Sequence, residues 1–303
     1  MIKFFGLKIL VTNNHLKNIG GSETFTYTLV KELERRKQNV DVFTFEKGLV
    51  SDKLNTVDKL KEKYDIIFVN HNTCLKYILE NTKGFKILTC HGIYPQLEQP
   101  ISGADAYVSI AEEVQDHLKN LGFKSYLIRN GVDCRRFFPR RKINEKCNFV
   151  LSTCHGEEAK YNISEACKRL NISFKFTGTR LEDRIFEIEN LIDEADLVFG
   201  LGRSAYESMS SGRNVIIYDS RHYTEFKTAD GLVTMDSIKE TQKNNCSGRR
   251  FKLHFSVDSI MNEIKKYKQE YGDFNRQYAL ENFNIEKQVD KYLEIWSSDW
   301  FVR

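Results

Sequence analysis

The stretch that decides the fold is Asp196–Asp219, which reads DLVFGLGRSAYESMSSGRNVIIYD. An apolar run ends in a Gly-x-Gly turn at Gly200, a short helical pattern follows, and a second apolar run closes the segment. This order predicts a strand, a glycine turn, a helix and another strand. Such a turn directs backbone N–H groups and the positive end of a helix toward one point, which suits a phosphate group. Glu207, one turn into the helix, can reach a sugar hydroxyl beside that phosphate, so the segment predicts a nucleotide site.

The composition is that of a globular protein. The 303 residues suffice for two cores of ordinary domain size, and 41% of them are hydrophobic. No apolar run approaches the roughly 18 residues of a membrane span, and Lys8 interrupts the opening MIKFFGLKILVTNN too early for a signal peptide. The seven cysteines contain no C-x-x-C pair, which favours reduced thiols and a cytoplasmic location.

Positive charge is concentrated in one predicted linker. The net charge is only +4, but six basic residues fall between 129 and 142: Arg129, Arg135, Arg136, Arg140, Arg141 and Lys142. The cluster fits either a solvated connector or attraction to an anionic acceptor or an acidic membrane surface, which would place the protein at the inner face of a membrane. The aromatic tail at Trp296 leaves a similar choice, between packing and peripheral membrane contact. The modest overall charge disfavours a nucleic-acid partner.

Apolar runs and helical patterns alternate along the chain, with a polar break at about 130–146. The alternation predicts parallel sheets with right-handed crossovers, arranged as two doubly wound α/β domains. The predicted strands are Lys8–Thr12, Val40–Thr44, Ile66–Asn70, Lys86–Cys90, Ala106–Ser109, Ser125–Ile128, Phe149–Ser152, Phe174–Thr177, Leu197–Gly200 and Val215–Tyr218. The predicted helices are Glu23–Lys37, Ser51–Glu62, Ala111–Leu121, three near 162–170, 180–194 and 204–211, and an all-helical tail from Val257.

Two further loops follow predicted strands, where parallel sheets bind ligands. The first loop, NNHLKNIGGSE, begins at Asn13 and contains Gly20 and Gly21, which permit close backbone approach to a ligand, although a plain turn explains them as well. Ser22 is predicted to cap the next helix. His91 follows the strand KILTC and can hydrogen-bond a substrate hydroxyl, whereas a structural role is equally open. His71, which ends another strand, is a weaker candidate of the same kind.

A competing interpretation is dinucleotide binding. The turn that begins at Gly200 is followed nineteen residues later by Asp219, which loosely fits the dinucleotide fingerprint. However, the helix between them is short, and the match lies in the second half of the chain, whereas the fingerprint usually opens its domain. The sequence therefore disfavours NAD.

Several motifs together resemble one family. They are GGSETFTYTLVKELERRKQNVDVFTF, the HG after the fourth strand, SIAEEVQDHLKNLG, NGVDCRRFFP, EADLVFGLGRSAYESMSSGRNVIIYD and ENFNIEKQVDKYLEIW. Over nearly its full length the chain resembles a GT-B glycosyltransferase, most closely the retaining family four. The resemblance implies two Rossmann-like domains that face each other across a cleft. Residues 1–140 would bind the acceptor, 141–285 would bind the nucleotide-sugar donor, and a C-terminal helix over 286–303 would pack back on the first domain.

The resemblance also implies roles for particular residues. Glu207 would hold the ribose hydroxyls, and Gly20 and Gly21 would lie against the donor phosphate and the transferred sugar. Lys160, expected on the loop after the first strand of the second domain, would neutralise the diphosphate, and His91 would lie near the reacting sugar. We expect a Glu207→Ala substitution to weaken donor binding far more than it disturbs folding.

The start of the helix that carries Glu207 adds three candidates. Gly202, Arg203 and Ser204 open this helix, and its geometry suggests Arg203 as a phosphate contact.

Two positions depart from the family pattern. Phe199 stands where the family has a first glutamate, and Cys154 or His155 stands where it has an arginine before the diphosphate lysine. His155, Arg203, Arg180 or the basic linker would then have to compensate for the missing charge, or the protein would be slow or inactive. His15, in the first loop, is a further candidate contact to the acceptor.

The expected activity is transfer of a sugar from a nucleotide-sugar, UDP- or GDP-linked, to a glycan, lipid-linked or protein acceptor. By the resemblance, transfer retains the anomeric configuration and needs no cofactor. The chain contains no Asp-x-Asp, and its His and Cys residues lack ligand spacing, so no metal is implied. The alternatives are another GT-B-type enzyme, such as a nucleotide-sugar epimerase or a polyol-phosphate transferase, and a degenerate nucleotide-sugar-binding protein.

Overall fold

A computed structural model describes residues 6–178, 185–221 and 227–300, with side chains as far as 298. Contacts between Cα atoms divide the chain into two compact units. Unit 1 comprises residues 1–131 together with 285–303, and unit 2 comprises residues 132–284. The predicted boundary at 140/141 therefore lies inside unit 2.

Unit 1 is built on a parallel sheet. Its strands are β1 (Lys8–His15), β2 (Asn39–Glu46), β3 (Lys63–Asn70), β4 (Lys83–Cys90), β5 (Ala106–Ser109) and β6 (Tyr126–Leu127). The sheet order is β2-β1-β3-β4-β5-β6, and every neighbouring pair is parallel. Its α-helices are α1 (Gly21–Arg35), α2 (Asn72–Asn81), α3 (Glu112–Asn120) and, at the end of the chain, α10 (Ile285–Trp300). In β1, which lies between β2 and β3, the aliphatic side chains of Ile9, Leu10 and Val11 are fully buried because helices cover both faces of the sheet.

Helix α10 packs on the other elements of unit 1. Arg36, at the end of α1, donates hydrogen bonds to Asp290 Oδ1 and to the Glu286 carbonyl. The hydroxyl of Tyr292 is buried and lies 3.1 Å from Thr89 Oγ1 in β4. These contacts attach the last helix to the first 131 residues.

Unit 2 contains the second sheet. Its strands are β7 (Phe149–Ser152), β8 (Ser173–Phe176), β9 (Leu197–Gly200), β10 (Asn214–Asp219) and β11 (Thr228–Leu232). Its α-helices are α4 (Glu157–Arg169), α5 (Glu189–Glu194), α6 (Arg203–Ser210), α7 (Ile238–Thr241), α8 (Val257–Ile264) and α9 (Gln269–Asn282). The order is β11-β10-β9-β7-β8, and only β11 is antiparallel to its neighbour.

Both faces of the second sheet are covered by apolar side chains. Val198 packs with Tyr206 and Met209 of α6, whereas its neighbour Phe199 packs on the other face with Ile163 of α4. The α/β class with two doubly wound sheets is therefore confirmed. No described helix is both long enough and apolar enough to cross a membrane.

Some local predictions are wrong. The segment Ser51–Glu62 is not an α-helix: it contains a single 3-10 turn at Ser51–Lys53. The N–H of Val57 donates to the Val42 carbonyl, so this segment runs beside β2, and tertiary hydrogen bonds override its helical pattern. Helix α2 and strand β11 were not predicted. Ser22 does not cap α1, because Gly20 is the N-cap residue and the Ser22 hydroxyl donates to Glu23 instead.

The basic linker belongs to unit 2, apart from Arg129, and most of its charges are paired. Arg141 contacts Asp196, Arg136 contacts Glu189, and Arg135 contacts Asp133. Arg129 pairs with Glu112 in unit 1. These partners reduce the charge available to an anionic surface, which favours the structural interpretation of the cluster.

Candidate functional site

Polar loops lie at one edge of each parallel sheet. In unit 1 they follow β1, β3 and β4, and in unit 2 they follow β7, β9 and β10. The carboxyl ends of parallel strands are where α/β sheets bind ligands. Each predicted site residue that the structure describes lies at the end of one of these strands, in the loop after it, or in the next helix.

The glycine turn after β9 is shaped by packing within unit 2. A Cβ at Gly200 would lie 2.6 Å from Ser204 Oγ and 3.0 Å from Thr153 Oγ1. Gly202 caps α6 with φ +52° and ψ −122°, a conformation that glycine adopts without steric cost. Ser204 Oγ accepts a hydrogen bond from the Leu201 N–H at 3.1 Å. These residues set the start of α6, and their contact with phosphate stays a prediction.

Arg203 and Glu207 form a buried ion pair on the first turns of α6. Arg203 Nη2 donates to Glu207 Oε1 at 2.9 Å, and both residues are 8% exposed. Burial raises the pKa of Glu207, and the charge of Arg203 opposes this shift. The expectation that Glu207→Ala spares folding is revised, because removing one partner of a buried pair typically costs about 3–5 kcal/mol.

Arg136 is a candidate that the sequence analysis did not single out. Its charge acts on Glu207, whose pKa it lowers, and its Nη2 donates to Glu189 Oε2 at 2.7 Å. The guanidinium lies 5.1 Å from the ring centroid of Phe137 and 5.0 Å from that of Phe186. The sequence signal for Arg136 is the pair of arginines in NGVDCRRFFP, which the sequence analysis interprets only as part of the positive charge of the linker.

The loop after β7 contains the two residues that stand in place of the family arginine. Cys154 is fully buried, its Sγ donates to the Tyr218 carbonyl at 3.4 Å, and burial raises its pKa to about 12. Cys154 is therefore a core residue with no charge for a diphosphate. His155 is half-buried, and its carbonyl accepts a hydrogen bond from Ser220 Oγ. Gly156, with φ +91°, caps α4.

Lys160 lies in a helix, whereas the sequence analysis places it on a loop. It is the fourth residue of α4, because the helix begins immediately after the positive-φ turn at Gly156. Its side chain is 48% exposed, lies 3.7 Å from Glu157 Oε2, and has its Nζ 5.9 Å from the centroid of the Phe176 ring. The ammonium is thus accessible at the ligand edge of unit 2.

Two other positions that the sequence analysis discussed, 199 and 219, hold side chains that are buried in contacts within unit 2. Phe199, in place of the family's first glutamate, is fully buried among apolar side chains, where an unpaired carboxylate would be strongly unfavourable. Asp219, the acid of the dinucleotide fingerprint, is 1% exposed and accepts hydrogen bonds from Arg221 Nε at 2.8 Å and Nη2 at 2.6 Å. This ion pair removes its carboxylate from a role on a ribose. Arg180 lies outside the described residues.

In unit 1, Glu23 and His15 meet at the start of α1. His15 Nε2 lies 3.5 Å from Glu23 Oε1, and Ser22 Oγ donates to Glu23 Oε2 at 2.9 Å. A Cβ at Gly20 would lie 2.5 Å from Glu23 Oε2, whereas a Cβ at Gly21 would meet no atom within 4 Å. A Cβ at Gly20 would therefore displace this carboxylate, whereas Gly21 is the glycine with room for a ligand.

His71 and Asn14 extend this polar cluster. The Asn14 N–H donates to His71 Nδ1 at 3.2 Å, and the rings of His15 and His71 stack with centroids 5.3 Å apart. Burial and, to a smaller extent, the nearby His15 together lower the pKa of His71 to about 4, so His71 is neutral near pH 7. His71 has φ +84°. A positive φ is uncommon in non-glycine residues, and such residues often lie at functional sites. Thr73 Oγ1 donates to Asn14 Oδ1, which turns the Asn14 amide nitrogen toward His15 Nδ1.

His91 is held by its neighbours. Its Nε2 lies 2.8 Å from Asn70 Oδ1, and its ring contacts Phe25 edge-on, with centroids 4.9 Å apart. The Asn70 amide nitrogen donates to the Thr12 carbonyl, so its oxygen faces His91 and His91 Nε2 carries the proton. The structure thus brings His15 and His91 to the same edge of the unit 1 sheet. Within the described ranges, no three His, Cys, Asp or Glu residues converge in a way that could hold a metal.

Comparison with known proteins identifies the fold of the chain but not its family. No protein-family model matches the chain, and no curated protein matches it. Among solved structures, an alpha-glucosyltransferase in complex with UDP and a 13-mer DNA matches with a TM-score of 0.58 and 11% identity, over 96% of this chain and 100% of that one. The catalytic domain of starch synthase IV from Arabidopsis thaliana, bound to ADP and acarbose, matches with a TM-score of 0.55 and 10% identity, over 97% and 99%.

WaaG, a glycosyltransferase involved in lipopolysaccharide biosynthesis, matches with a TM-score of 0.53 and 10% identity, over 95% of this chain and 99% of that one. The chain has the GT-B fold. At these identities, membership of family four stays a prediction. Both units are built on parallel sheets, apart from the antiparallel strand β11 in unit 2.

Proposed function

We propose that this protein is a glycosyltransferase that moves a sugar from a nucleotide-sugar donor to an acceptor hydroxyl. The observation that carries the proposal is a GT-B fold matched over 95–97% of this chain by solved glycosyltransferases. Two of those structures contain UDP or ADP, which supports a nucleoside diphosphate as part of the donor. From the sequence resemblance we propose UDP or GDP.

Unit 2 is the proposed nucleotide-binding unit. Gly202 and Ser204 would present the start of α6 to the phosphates, and Glu207 would accept hydrogen bonds from the ribose hydroxyls. Its burial against Arg203, with Arg136 close by, supports a carboxylate held in one orientation. Lys160 would contribute the positive charge that a departing diphosphate needs.

Unit 1 is the proposed acceptor-binding unit. Gly21 leaves open space beside the loop after β1, and His15 and His91 place imidazole nitrogens at the same edge. Imidazole, amide and carboxylate groups suit the hydroxyls of a glycan, a lipid-linked sugar or a glycosylated protein. Of these acceptors, we favour one that carries a sugar.

The proposed chemistry is transfer with retention, without a resident cofactor or metal. The acceptor oxygen would bond to the anomeric carbon on the face from which the diphosphate leaves, and its proton would pass to the departing phosphate. No side chain needs to act as a nucleophile. The protein's contribution would be orientation of the two substrates and stabilisation of the leaving group.

A second candidate is a nucleotide-sugar-binding protein without transfer activity. The burial of Phe199 and Cys154 favours it, because both stand where the family carries charged groups. An epimerase or a polyol-phosphate transferase on the same fold would bind a nucleotide donor and differ in its product.

The test is a thermal-shift panel on the full chain with UDP, GDP, ADP, CDP, their common sugar conjugates and NAD(H), with and without EDTA. A ligand that binds only the folded protein raises its melting temperature. We expect a shift with one nucleoside diphosphate, a larger shift with its sugar conjugate, and loss of both in Glu207→Gln. Glu270→Gln, an exposed carboxylate in the same unit, is the matched control.

Each outcome assigns a function. A nucleotide-sugar shift followed by consumption of the donor in the presence of glycan acceptors supports the transferase. A shift without consumption favours the binding protein, and a shift with NAD(H) alone refutes the proposal.

A further inference from the structure

Three aromatic rings contact one another beside the polar cluster of unit 1. Phe43 and Tyr77 stack with centroids 4.9 Å apart and planes 7° from parallel. Phe45 meets both rings edge-on, at 5.1 Å from Phe43 and 5.5 Å from Tyr77. We call Phe43, Phe45 and Tyr77 the ring surface. Phe43 is buried and forms its base, whereas Phe45 is 48% exposed and Tyr77 is partly exposed.

The ring surface continues directly into the polar cluster. Phe45 lies in β2 between Thr44, which pairs with Asn13 of the neighbouring parallel strand β1, and Glu46, which pairs with His15. Tyr77 follows Thr73 by one turn of α2, and Thr73 donates to the Asn14 amide oxygen. Asn14 in turn contacts His15 Nδ1. Exposed aromatic faces and hydroxyl-binding groups therefore lie side by side at the ligand edge of one sheet.

Single exposed apolar residues are ordinary on protein surfaces. The ring surface differs because its three rings are packed together, and another exposed apolar residue follows Phe45 four positions along the chain. Leu49 is 57% exposed, and its N–H donates to the Lys17 carbonyl in the loop after β1. A cluster of this kind marks a binding surface more often than an isolated side chain does.

The charges around the ring surface have both signs. Glu46 and Lys47 follow Phe45, and Lys47 pairs with Asp58. Lys76 and Glu80 lie on either side of Tyr77 in α2, and both are exposed. An acidic membrane attracts clusters of basic residues, which this mixed rim does not provide. A neutral ligand with one apolar face and several hydroxyls fits both the rim and the adjoining polar cluster.

We propose that the ring surface is a carbohydrate subsite, on which one pyranose ring of the acceptor stacks. The axial C–H groups of a pyranose present an apolar face to an aromatic ring, and its hydroxyls, at the ring edge, would reach toward Asn14 and His15. The inference rests on the proposed function and narrows the acceptor to a molecule that already carries a sugar. Phe45 supplies the stacking face, and Tyr77 supports it.

The experiment is saturation-transfer difference NMR on the full chain. The probes are the methyl glycosides of glucose, galactose, mannose and N-acetylglucosamine, in both anomers, at millimolar concentration. Irradiation of the protein's aromatic protons should transfer saturation to the C–H protons of at least one glycoside. Phe45→Leu removes the ring but keeps apolar bulk, and we expect it to weaken binding of that glycoside by about fivefold, consistent with the usual worth of an aromatic contact. Phe45→Tyr should retain binding.

Tyr126→Ala is the matched control, because Tyr126 is 52% exposed on β6, at the opposite edge of the same sheet. It should leave glycoside binding unchanged. Absence of transfer from every glycoside, or equal transfer in the wild type and Phe45→Leu, overturns the subsite. Sedimentation with phosphatidylglycerol vesicles that is lost in Phe45→Leu also overturns it, in favour of a membrane contact. The donor thermal shift of each variant tests the proposed function separately, since the ring surface lies outside unit 2.

Discussion

The polar edges of the two sheets differ in the kind of group they carry. Unit 1 presents mainly imidazoles and amides joined by hydrogen bonds, among them His15, His91 and Asn14, together with the Glu23 carboxylate beside His15. Unit 2 presents permanent charges held in a buried pair, Arg203 with Glu207. Imidazole and amide groups offer both donors and acceptors of hydrogen bonds and so suit hydroxyls, whereas fixed charges suit phosphates and an ordered ribose contact. The difference supports the proposed division into acceptor-binding and nucleotide-binding units.

The largest effect should come from breaking the charged pair in unit 2. Glu207→Ala removes the carboxylate that pairs with the buried Arg203 guanidinium, so we expect the free energy of unfolding to fall by about 3–5 kcal/mol. The measurement is urea denaturation followed by circular dichroism. The double variant Arg203→Met/Glu207→Leu, which removes both charges, should recover most of the loss. Surface substitutions usually change the free energy of unfolding by about 0.5 kcal/mol or less. If the free energy of unfolding of Glu207→Ala lies within about 1 kcal/mol of the wild-type value, the pair is not structurally coupled.

The buried His71 of unit 1 should affect how the stability of the protein depends on pH. Burial and, to a smaller extent, the electrostatic effect of His15 lower the pKa of His71 in the folded protein to about 4, below the ordinary value of 6.5. Between these values the unfolded chain binds more protons than the folded one, so stability is full above about pH 6.5 and falls as the pH approaches 4. The shift corresponds to about 3 kcal/mol, from 1.36 kcal/mol per pKa unit.

The measurement is the unfolding free energy at pH 7.5, 6 and 4.5, compared with that of His71→Gln. Carboxylates that titrate in the same range affect both proteins, so the difference between them isolates His71. Parallel pH curves for the two proteins would argue against a depressed pKa at this position.

Lys160 tests whether charge in unit 2 serves the reaction. The Lys160 ammonium is exposed and only weakly paired with Glu157, so Lys160→Ala should leave folding intact. We expect turnover of the nucleotide-sugar to fall at least tenfold, or about 1.4 kcal/mol of transition-state stabilisation. Lys168→Ala, an exposed lysine near the other end of α4, is the control. Equal rates for the two variants would make Lys160 a surface charge without a catalytic part.

Both sheets could be predicted from the sequence because strands buried on two faces appear as continuous apolar runs. The strand from Leu197 to Gly200 and the helix after it follow from this pattern and from the flanking glycines. Local patterns failed where tertiary contacts decide the structure. Ser51–Glu62 has helical spacing, yet its backbone hydrogen-bonds to the edge of β2.

The sheet edges on which the candidate residues lie were predictable, whereas the contacts of these residues were predictable only in part. Glycines and histidines after predicted strands located both ligand edges. The sequence could not show that Glu23 folds back over Gly20, nor that Arg136 approaches Glu207, because these contacts depend on side-chain placement. Cys154 and Phe199 were recognised as departures from the family, and their burial explains why neither can carry the missing charge.

The smallest predicted effect on stability concerns two neighbouring glycines of unit 1, Gly20 and Gly21. A Cβ at Gly20 would clash with the Glu23 carboxylate, whereas a Cβ at Gly21 meets open space at the first position of α1. Gly21→Ala should therefore fold as well as wild type, or gain up to about 1 kcal/mol through the lower entropy of the unfolded chain. Gly20→Ala should displace the carboxylate and lose stability. If Gly21→Ala keeps its stability but loses donor binding in the thermal-shift assay, the open space beside Gly21 is occupied by donor. If the variant is more stable and binds donor normally, Gly21 serves only the turn, and the polar cluster of unit 1 is left to the acceptor alone.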